Sequence, residues 1–578
     1  MIKDTIRALV LQAATAAQVE GAIPAITLPA FDIERPQFTA HGDYATNIAM
    51  KLASELKRTT GQKANPRALG EAIAERARRV IQAGEFALIG SVEVAGAGFI
   101  NFRLEPRWVL SQIDEILAAG DHWGEINLGN GLHMNLEYVS ANPTGQVHVG
   151  NGRGAFIGDA LASVLLAAGY RVTREYYFND AGQQIIKLGR SMEYYYRLAC
   201  GEQNPPCPEE GYFGDYYLTV AQRLIASGKE YLSLPPDERV AALGRDSSAL
   251  IMEDIRCTMA SIGVRFDVWF NQYSLETSGA LWEGIAYLRE HGYIEEREGA
   301  LWMKTTLFGD DKDWVIVKSN GEPTYIASDV AYMRDKFARG AQKLIYVLGP
   351  DHHGYISRLK ATAGMIGHDP NDVIVLIYQN VSVKGERIGK RLGNAIPLDD
   401  LVAEVGPDVT RFFYLHLGNN APLDFDLELA KRQSDENPVY YVQYGHARIA
   451  SILRKAAERG IADYEAGNPA ILADDPEAQR DLELTLVKHM LRLPEVVERV
   501  ATELEPHHLP RYAIELAAAF HAFYHDCPVL RAENEATRRA RLKLVCAAKL
   551  VLARSLSLVG VSVPERMERL EDEQAAGD

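Results

Sequence analysis

Cysteine is scarce in this 578-residue chain: five are scattered over Cys200, Cys207, Cys257, Cys527 and Cys546, an odd number with no CxxC pair. Neither a disulfide framework nor a structural zinc site fits that usage, and a reducing cytoplasm is the expected setting. Long hydrophobic runs are missing as well. The stretch 1–30 is interrupted by Lys3, Asp4, Arg7 and Glu20, short of the ~18 uninterrupted apolar residues that a membrane span needs. No signal peptide or anchor is therefore expected. Positive charge is in deficit, with 61 Lys and Arg against 78 Asp and Glu and a net charge of -17. That balance excludes a general nucleic-acid coat and confines any grip on phosphate to local basic patches. One such cluster comes late, in Arg538, Arg539, Arg541, Lys543 and Lys549. Its spacing can share one side of a helix, as a plain solvated helix face also does.

What is present is globular. Hydrophobic residues make up 47% and charged residues 24%, and the length calls for roughly three or four domains. Residues 1–125 alternate helical patterns, as at 67–82, with strand-like runs, as at 91–104, and read as a small α+β domain. From Leu132 the pattern changes. Met134, Leu136 and Tyr138 alternate as a strand, 145–154 is glycine-rich, 156–168 carries helical spacing ended by Gly169, and 171–178 is a second strand. Strand, turn, helix and strand make a βαβ unit whose ligand site lies at the carboxyl ends of the strands. Apolar runs at 314–318, 344–348 and 373–378 read as further buried parallel strands, and 181–267 as a helical insertion. The second domain thus spans 126–435. After Pro438 strand signals vanish, and 436–578 reads as an all-α helix bundle.

Two segments carry chemistry. Residues 140–151, Ser-Ala-Asn-Pro-Thr-Gly-Gln-Val-His-Val-Gly-Asn, lie between the first strand and the first helix. Glycine lets backbone approach a ligand, the helix N-terminus offers N–H groups and partial positive charge, and His148 can donate to phosphate oxygens. A turn or core histidine looks the same in isolation; the strand-turn-helix setting favours the functional reading. Residues 386–394, Glu-Arg-Ile-Gly-Lys-Arg-Leu-Gly-Asn, set three cations among glycines after an apolar strand, a composition suited to clamping a departing pyrophosphate. A solvated surface turn is the plainer alternative.

Together these segments resemble the HIGH and KMSKS elements of class I aminoacyl-tRNA synthetases, and 140–159 resembles the arginyl form in particular. The likeness extends over the chain. Residues 42–47 (Gly-Asp-Tyr-Ala-Thr-Asn) resemble that family's extra N-terminal domain, 323–329 (Pro-Thr-Tyr-Ile-Ala-Ser-Asp) its arginine pocket, and 351–354 (Asp-His-His-Gly) another active-site turn. Residues 424–427 and 437–448 resemble its junction and first bundle helix, and 559–567 its C-terminus. The fold implied is multidomain α/β: a Rossmann-type parallel-sheet catalytic domain, an N-terminal α+β domain and a C-terminal helix bundle. The activity implied is ligation of L-arginine to its tRNA with ATP and the Mg2+ that accompanies it; a monomer is the default expectation, and with no partnering cluster beside Asp351, His352 and His353 no dedicated protein metal site is expected.

The resemblance assigns His148, Asn151 and Lys390 to catalysis, and His148, Gly150, Asn151, Arg387 and Lys390 to ATP. Asn142, Tyr325, Asp329, His352 and Gln272 are assigned to arginine. Phe99 and Asn101, with Tyr440, Tyr444 and Arg448 on the bundle, are assigned to tRNA. Three positions depart from the pattern. Asn151 stands for the second histidine of HIGH and donates without carrying charge. Arg387-Ile388-Gly389-Lys390 stands for KMSK. Gln272 stands where a glutamate is usual, with Glu276 as a candidate replacement. For the pocket the residues make their own case: a permanently charged, forked guanidinium calls for a desolvated carboxylate, and Asp329 lies four residues after Tyr325, on one helical face. Strand packing explains Phe99 and Asn101 equally well, as a core aromatic stripe explains the bundle tyrosines. Two rival readings remain open: a non-catalytic paralogue that binds tRNA, and a nucleotidyltransferase for a small metabolite.

Overall fold

A computed structural model of the chain describes residues 1–180, 182–384, 396–461 and 464–567. Five parallel strands form the central sheet, in spatial order Val373–Ile377, Lys343–Leu348, His133–Tyr138, Arg171–Phe178, Val268–Asn271. Numbered along the chain that order is 5-4-1-2-3, so the direction of winding reverses between His133–Tyr138 and Lys343–Leu348. At such a switch point the loops leaving the carboxyl ends part and open a crevice.

Alternate side chains of one strand serve opposite layers. Ile345 and Val347 join the core that continues into the helix bundle, whereas Leu344 and Tyr346 join a second core under helices Tyr325–Ala338 and Ile356–Met365. Helix Val149–Ala167 is buried nearly all round, between the sheet and the bundle. It packs so closely that a Cβ at Gly158 would come within 2.2 Å of the Tyr138 ring, which restricts that position to glycine.

The N-terminal unit is a four-stranded antiparallel sheet carrying helices Ile2–Val19, Ile48–Thr60 and Pro66–Gln82. It docks on the bundle through a largely buried carboxylate. Glu495 receives two hydrogen bonds from Arg35, at 3.0 and 2.9 Å, and one from the hydroxyl of Tyr44. Beyond residue 435, helices from Pro438–Glu458 to Glu535–Leu558 form the bundle. Three helices, Gln183–Ala199, Asp215–Ala226 and Pro236–Ser261, form an insertion between strands Arg171–Phe178 and Val268–Asn271 of the central sheet.

Two features differ from the reading of the sequence. The apolar run at 314–318 is an antiparallel partner of Ala300–Met303 in a separate three-stranded sheet. Its apolarity reflects packing under helix Tyr325–Ala338, and burial alone does not distinguish parallel from antiparallel strands. The edge strand Val268–Asn271 was not anticipated, being four half-buried residues without a polar alternation.

Candidate active site

The strand His133–Tyr138 leaves the sheet through a strained turn. Val139 has φ +68° and Ser140 φ +43°, and the amide of Ser140 reaches back to the Tyr138 carbonyl at 3.0 Å. A β-branched residue in that region is costly and persists only where its surroundings fix it. Here the Ser140 hydroxyl does so, donating to Glu137 at 3.0 Å and accepting from the Tyr177 amide at 3.1 Å. The turn directs residues 141–148 over the carboxyl edge of the sheet, along a cleft of about 880 Å³.

At one end of the cleft stands the start of helix Val149–Ala167. His148 is its N-cap: Nδ1 accepts from the amides of Gly150 (3.1 Å) and Asn151 (3.4 Å), while Asn151 Oδ1 accepts from the His148 amide. This reciprocal capping changes the expectation for the motif. The amides of Gly150 and Asn151 are already satisfied by the imidazole, which leaves His148 Nε2–H and the Asn151 side-chain nitrogen as the donors not used by the cap. Burial lowers the His148 pKa, which keeps the ring neutral and a donor at Nε2.

At the other end, helix Tyr325–Ala338 brings Tyr325 and Asp329 to the cleft on one face, as their spacing requires. The Asp329 carboxylate, 27% exposed, lies 3.5 Å from the Arg358 guanidinium. Its surroundings are otherwise poor in water. Desolvation pushes its pKa up to about 7, Arg358 and Lys336 pull it down, and nearby Glu137 pushes it up. Glu137 itself is 5% exposed, lines the cleft and pairs with the fully buried Lys336. The Lys336 ammonium also lies 4.1 Å from the centre of the Tyr346 ring. Two carboxylates thus converge on a largely dry pocket floor, an arrangement suited to a forked cation.

Residues 2–104 match the family described as "Arginyl tRNA synthetase N terminal domain", residues 112–411 "tRNA synthetases class I (R), catalytic domain", and residues 442–567 "DALR anticodon binding domain". The arginine--tRNA ligase of Moorella thermoacetica is 44% identical over 571 residues, 98% of this chain and 99% of that protein. The chain belongs to the arginyl-tRNA synthetase family. The arginine--tRNA ligase of Carboxydothermus hydrogenoformans is 43% identical over 93% of this chain and 94% of that one. The structure of the Thermus thermophilus arginyl-tRNA synthetase, 24% identical, shares the fold with a TM-score of 0.75 over 97% of this chain and 100% of that one.

Of the residues assigned by family resemblance, His148, Gly150, Asn151, Asn142, Tyr325, Asp329, His352 and Gln272 all line this one cleft. Arg387 and Lys390 lie outside the described residues. The chain just after them is anchored at the cleft, where the Val149 amide donates to the Ile396 carbonyl and the Leu398 amide to Val147. Gln272 is buried between Tyr177, whose hydroxyl donates to it at 2.7 Å, and Ser328. Glu276, the candidate replacement, is exposed and is not part of the cleft wall: it sits on the short helix Tyr273–Thr277, whose buried side chain is Leu275.

The residues assigned to tRNA divide. Phe99 is 43% exposed on the N-terminal sheet. Asn101 is 8% exposed and belongs to the packing of that sheet, so its side chain is not displayed to a base edge. On the bundle, the rings of Tyr440 and Tyr444 stack at 6.0 Å, and the Arg448 guanidinium lies over Tyr444 (5.4 Å) and Tyr524 (5.0 Å). Tyr444 and Arg448 border a cavity of about 560 Å³ that also holds Lys455, Arg459 and Arg531.

Three members of the late basic cluster are engaged within the protein. Arg541 is buried against Glu483 and Asp475, and Lys543 pairs with Asp114 and Lys549 with Glu565. Reading the sequence missed Glu137, Lys336, Tyr177 and Gln184. Glu137 alone carried a signal, an acid three residues before the SANPTG segment on a strand whose Met134, Leu136 and Tyr138 are apolar. Among the described residues no group of three or more His, Cys, Asp or Glu side chains gathers to hold a metal, and no helix is long and apolar enough to cross a membrane.

Proposed function

We propose that this chain activates L-arginine with ATP and transfers it to the terminal adenosine of a tRNA that accepts arginine. The observation that carries the reading is the polarity of the cleft: two carboxylates, Glu137 and Asp329, at one end, and neutral phosphate donors at the capped helix start at the other. The guanidinium enters between Asp329 and Glu137 with Tyr325 over it, and Gln272 and His352 border the substrate. Asn142 meets the α-ammonium. The substrate carboxylate then faces the α-phosphate of ATP, which arrives with its Mg2+.

An oxygen of the arginine carboxylate forms a bond to the α-phosphorus, the bond from that phosphorus to the bridging oxygen of the β-phosphate breaks, and pyrophosphate leaves with the electron pair. His148 Nε2–H and the Asn151 amide stabilise charge on the phosphate oxygens, with Gly150 giving room beside them, and Arg387 and Lys390 clamp the leaving group. Positioning and electrostatics do this work, with no covalent intermediate on the protein. In the second step the 2'-hydroxyl of the terminal adenosine attacks the carbonyl carbon. The ester forms, AMP leaves, and the hydroxyl proton passes to its phosphate.

Phe99 and the Tyr440, Tyr444 and Arg448 face supply stacking and charge for tRNA, whose phosphates need local cations on a chain of net charge -17. Action as a monomer in the cytoplasm is part of this reading, and the free cysteines suit a reducing compartment. The test is exchange of labelled pyrophosphate into ATP. Exchange that requires arginine together with tRNA supports the reading; exchange at background with all three present contradicts it.

A further inference from the structure

An asparagine side chain can meet an ammonium only through its oxygen, because both hydrogens on its nitrogen are donors facing another donor. Which end of the Asn142 amide is presented to the cleft therefore decides whether it can serve. Its Nδ2 donates to Gln184 Oε1 at 2.7 Å, which leaves Oδ1 as the open acceptor. Gln184 lies in the first turn of helix Gln183–Ala199 and lines the cleft as Asn142 does. The insertion grips the same loop a second time, where the Tyr217 hydroxyl donates to the Thr144 carbonyl at 2.7 Å. The loop that carries Asn142 is thus held from the insertion at two points two residues apart.

We propose that Gln184 is a positioning residue for L-arginine: by accepting the Asn142 N–H it turns the Asn142 oxygen toward the substrate's α-ammonium. The inference rests on the cleft being the arginine site and concerns only the ammonium end of the substrate. Gln184 exerts its effect through Asn142, so removing it weakens ligands that carry an α-ammonium and spares those that lack one.

The experiment is calorimetric binding to the full chain of L-arginine and of δ-guanidinovaleric acid, which is the same molecule without the α-ammonium. Wild type, Gln184→Leu and Gln184→Glu are compared. Gln184→Leu is expected to weaken L-arginine about tenfold, the value of one hydrogen bond's orienting effect, and to leave δ-guanidinovaleric acid unchanged. A carboxylate can only accept, so Gln184→Glu keeps the bond to Asn142 and binds L-arginine at least as tightly as wild type. Equal weakening of both ligands, unchanged L-arginine binding in Gln184→Leu, or a Gln184→Glu variant as weak as the leucine one each overturn the proposal. Wild type that binds neither ligand overturns the reading of the cleft itself, a different failure.

Discussion

Asp329, in the wall of the cleft, stands 3.5 Å from the buried Arg358, so the protein keeps an arginine of its own beside the acid proposed to receive another. The Arg358 guanidinium is buried and lies 3.9 Å from the centre of the Tyr355 ring, which leaves it little freedom to move. It offsets part of the desolvation of Asp329 but not all, so burial leaves the acid's pKa pushed up to about 7.

That value makes arginine binding depend on pH. The bound guanidinium requires the ionised acid, whereas the free protein holds it protonated below about 7. Affinity for L-arginine should fall by about tenfold for each pH unit below that point and level off above it. Asp329→Asn should weaken binding on the order of a hundredfold and abolish the pH dependence. For stability the sign runs the other way. Between its ordinary value of 3.8 and about 7 the folded protein binds more protons at Asp329 than the unfolded chain does, so this group's contribution fades as pH rises through that window. Binding titrations and thermal melts from pH 5.5 to 8.5 separate the two effects.

His148 and Asn151 are predicted to act on the transition state. Asn151→Ala should lower the rate of arginine-dependent pyrophosphate exchange on the order of a hundredfold, with the KM for arginine unchanged. His148→Ala should do the same and also cost about 1 kcal/mol of stability, because the ring caps the helix. A change confined to KM would assign these residues to ground-state binding only.

Arg541 offers a contrast, a basic residue predicted to take no part in binding tRNA. It is buried in the bundle against Glu483 and Asp475, and Glu483 is itself fully buried with its pKa pushed up to about 7, by burial above all. Arg541→Ala strands those acids and should cost about 3–5 kcal/mol by denaturant unfolding. At a temperature where the variant stays folded, its tRNA affinity should equal that of wild type.

Arg448→Ala should behave oppositely. The side chain lies across Tyr444 and Tyr524 at the mouth of a basic cavity, so its loss should weaken tRNA binding several-fold and flatten the salt dependence. Arginine binding should not change.

The parts of the molecule legible in the sequence were those written in short-range pattern. The alternation of Met134, Leu136 and Tyr138, the glycine-rich turn and the helix behind it place the cleft, and the four-residue spacing of Tyr325 and Asp329 gives the pocket wall. What the sequence did not show depends on contacts between distant residues. Glu137 meets Lys336 199 positions away, and Asn142 meets Gln184 across 42, separations at which spacing carries no information. The capping of the helix by His148 was hidden differently, since a histidine is an uncommon N-cap and the motif reads first as a phosphate site. Arg541 shows the limit of charge counting: a basic cluster on one helix looks the same whether water, nucleic acid or buried acids lie opposite.

The most direct test of the central claim is aminoacylation of total tRNA by the purified chain, offered each amino acid in turn. The account predicts that arginine alone is incorporated, with Asn151 and Gln272 in place. Incorporation of another amino acid, or none at all while tRNA is bound tightly, would contradict it.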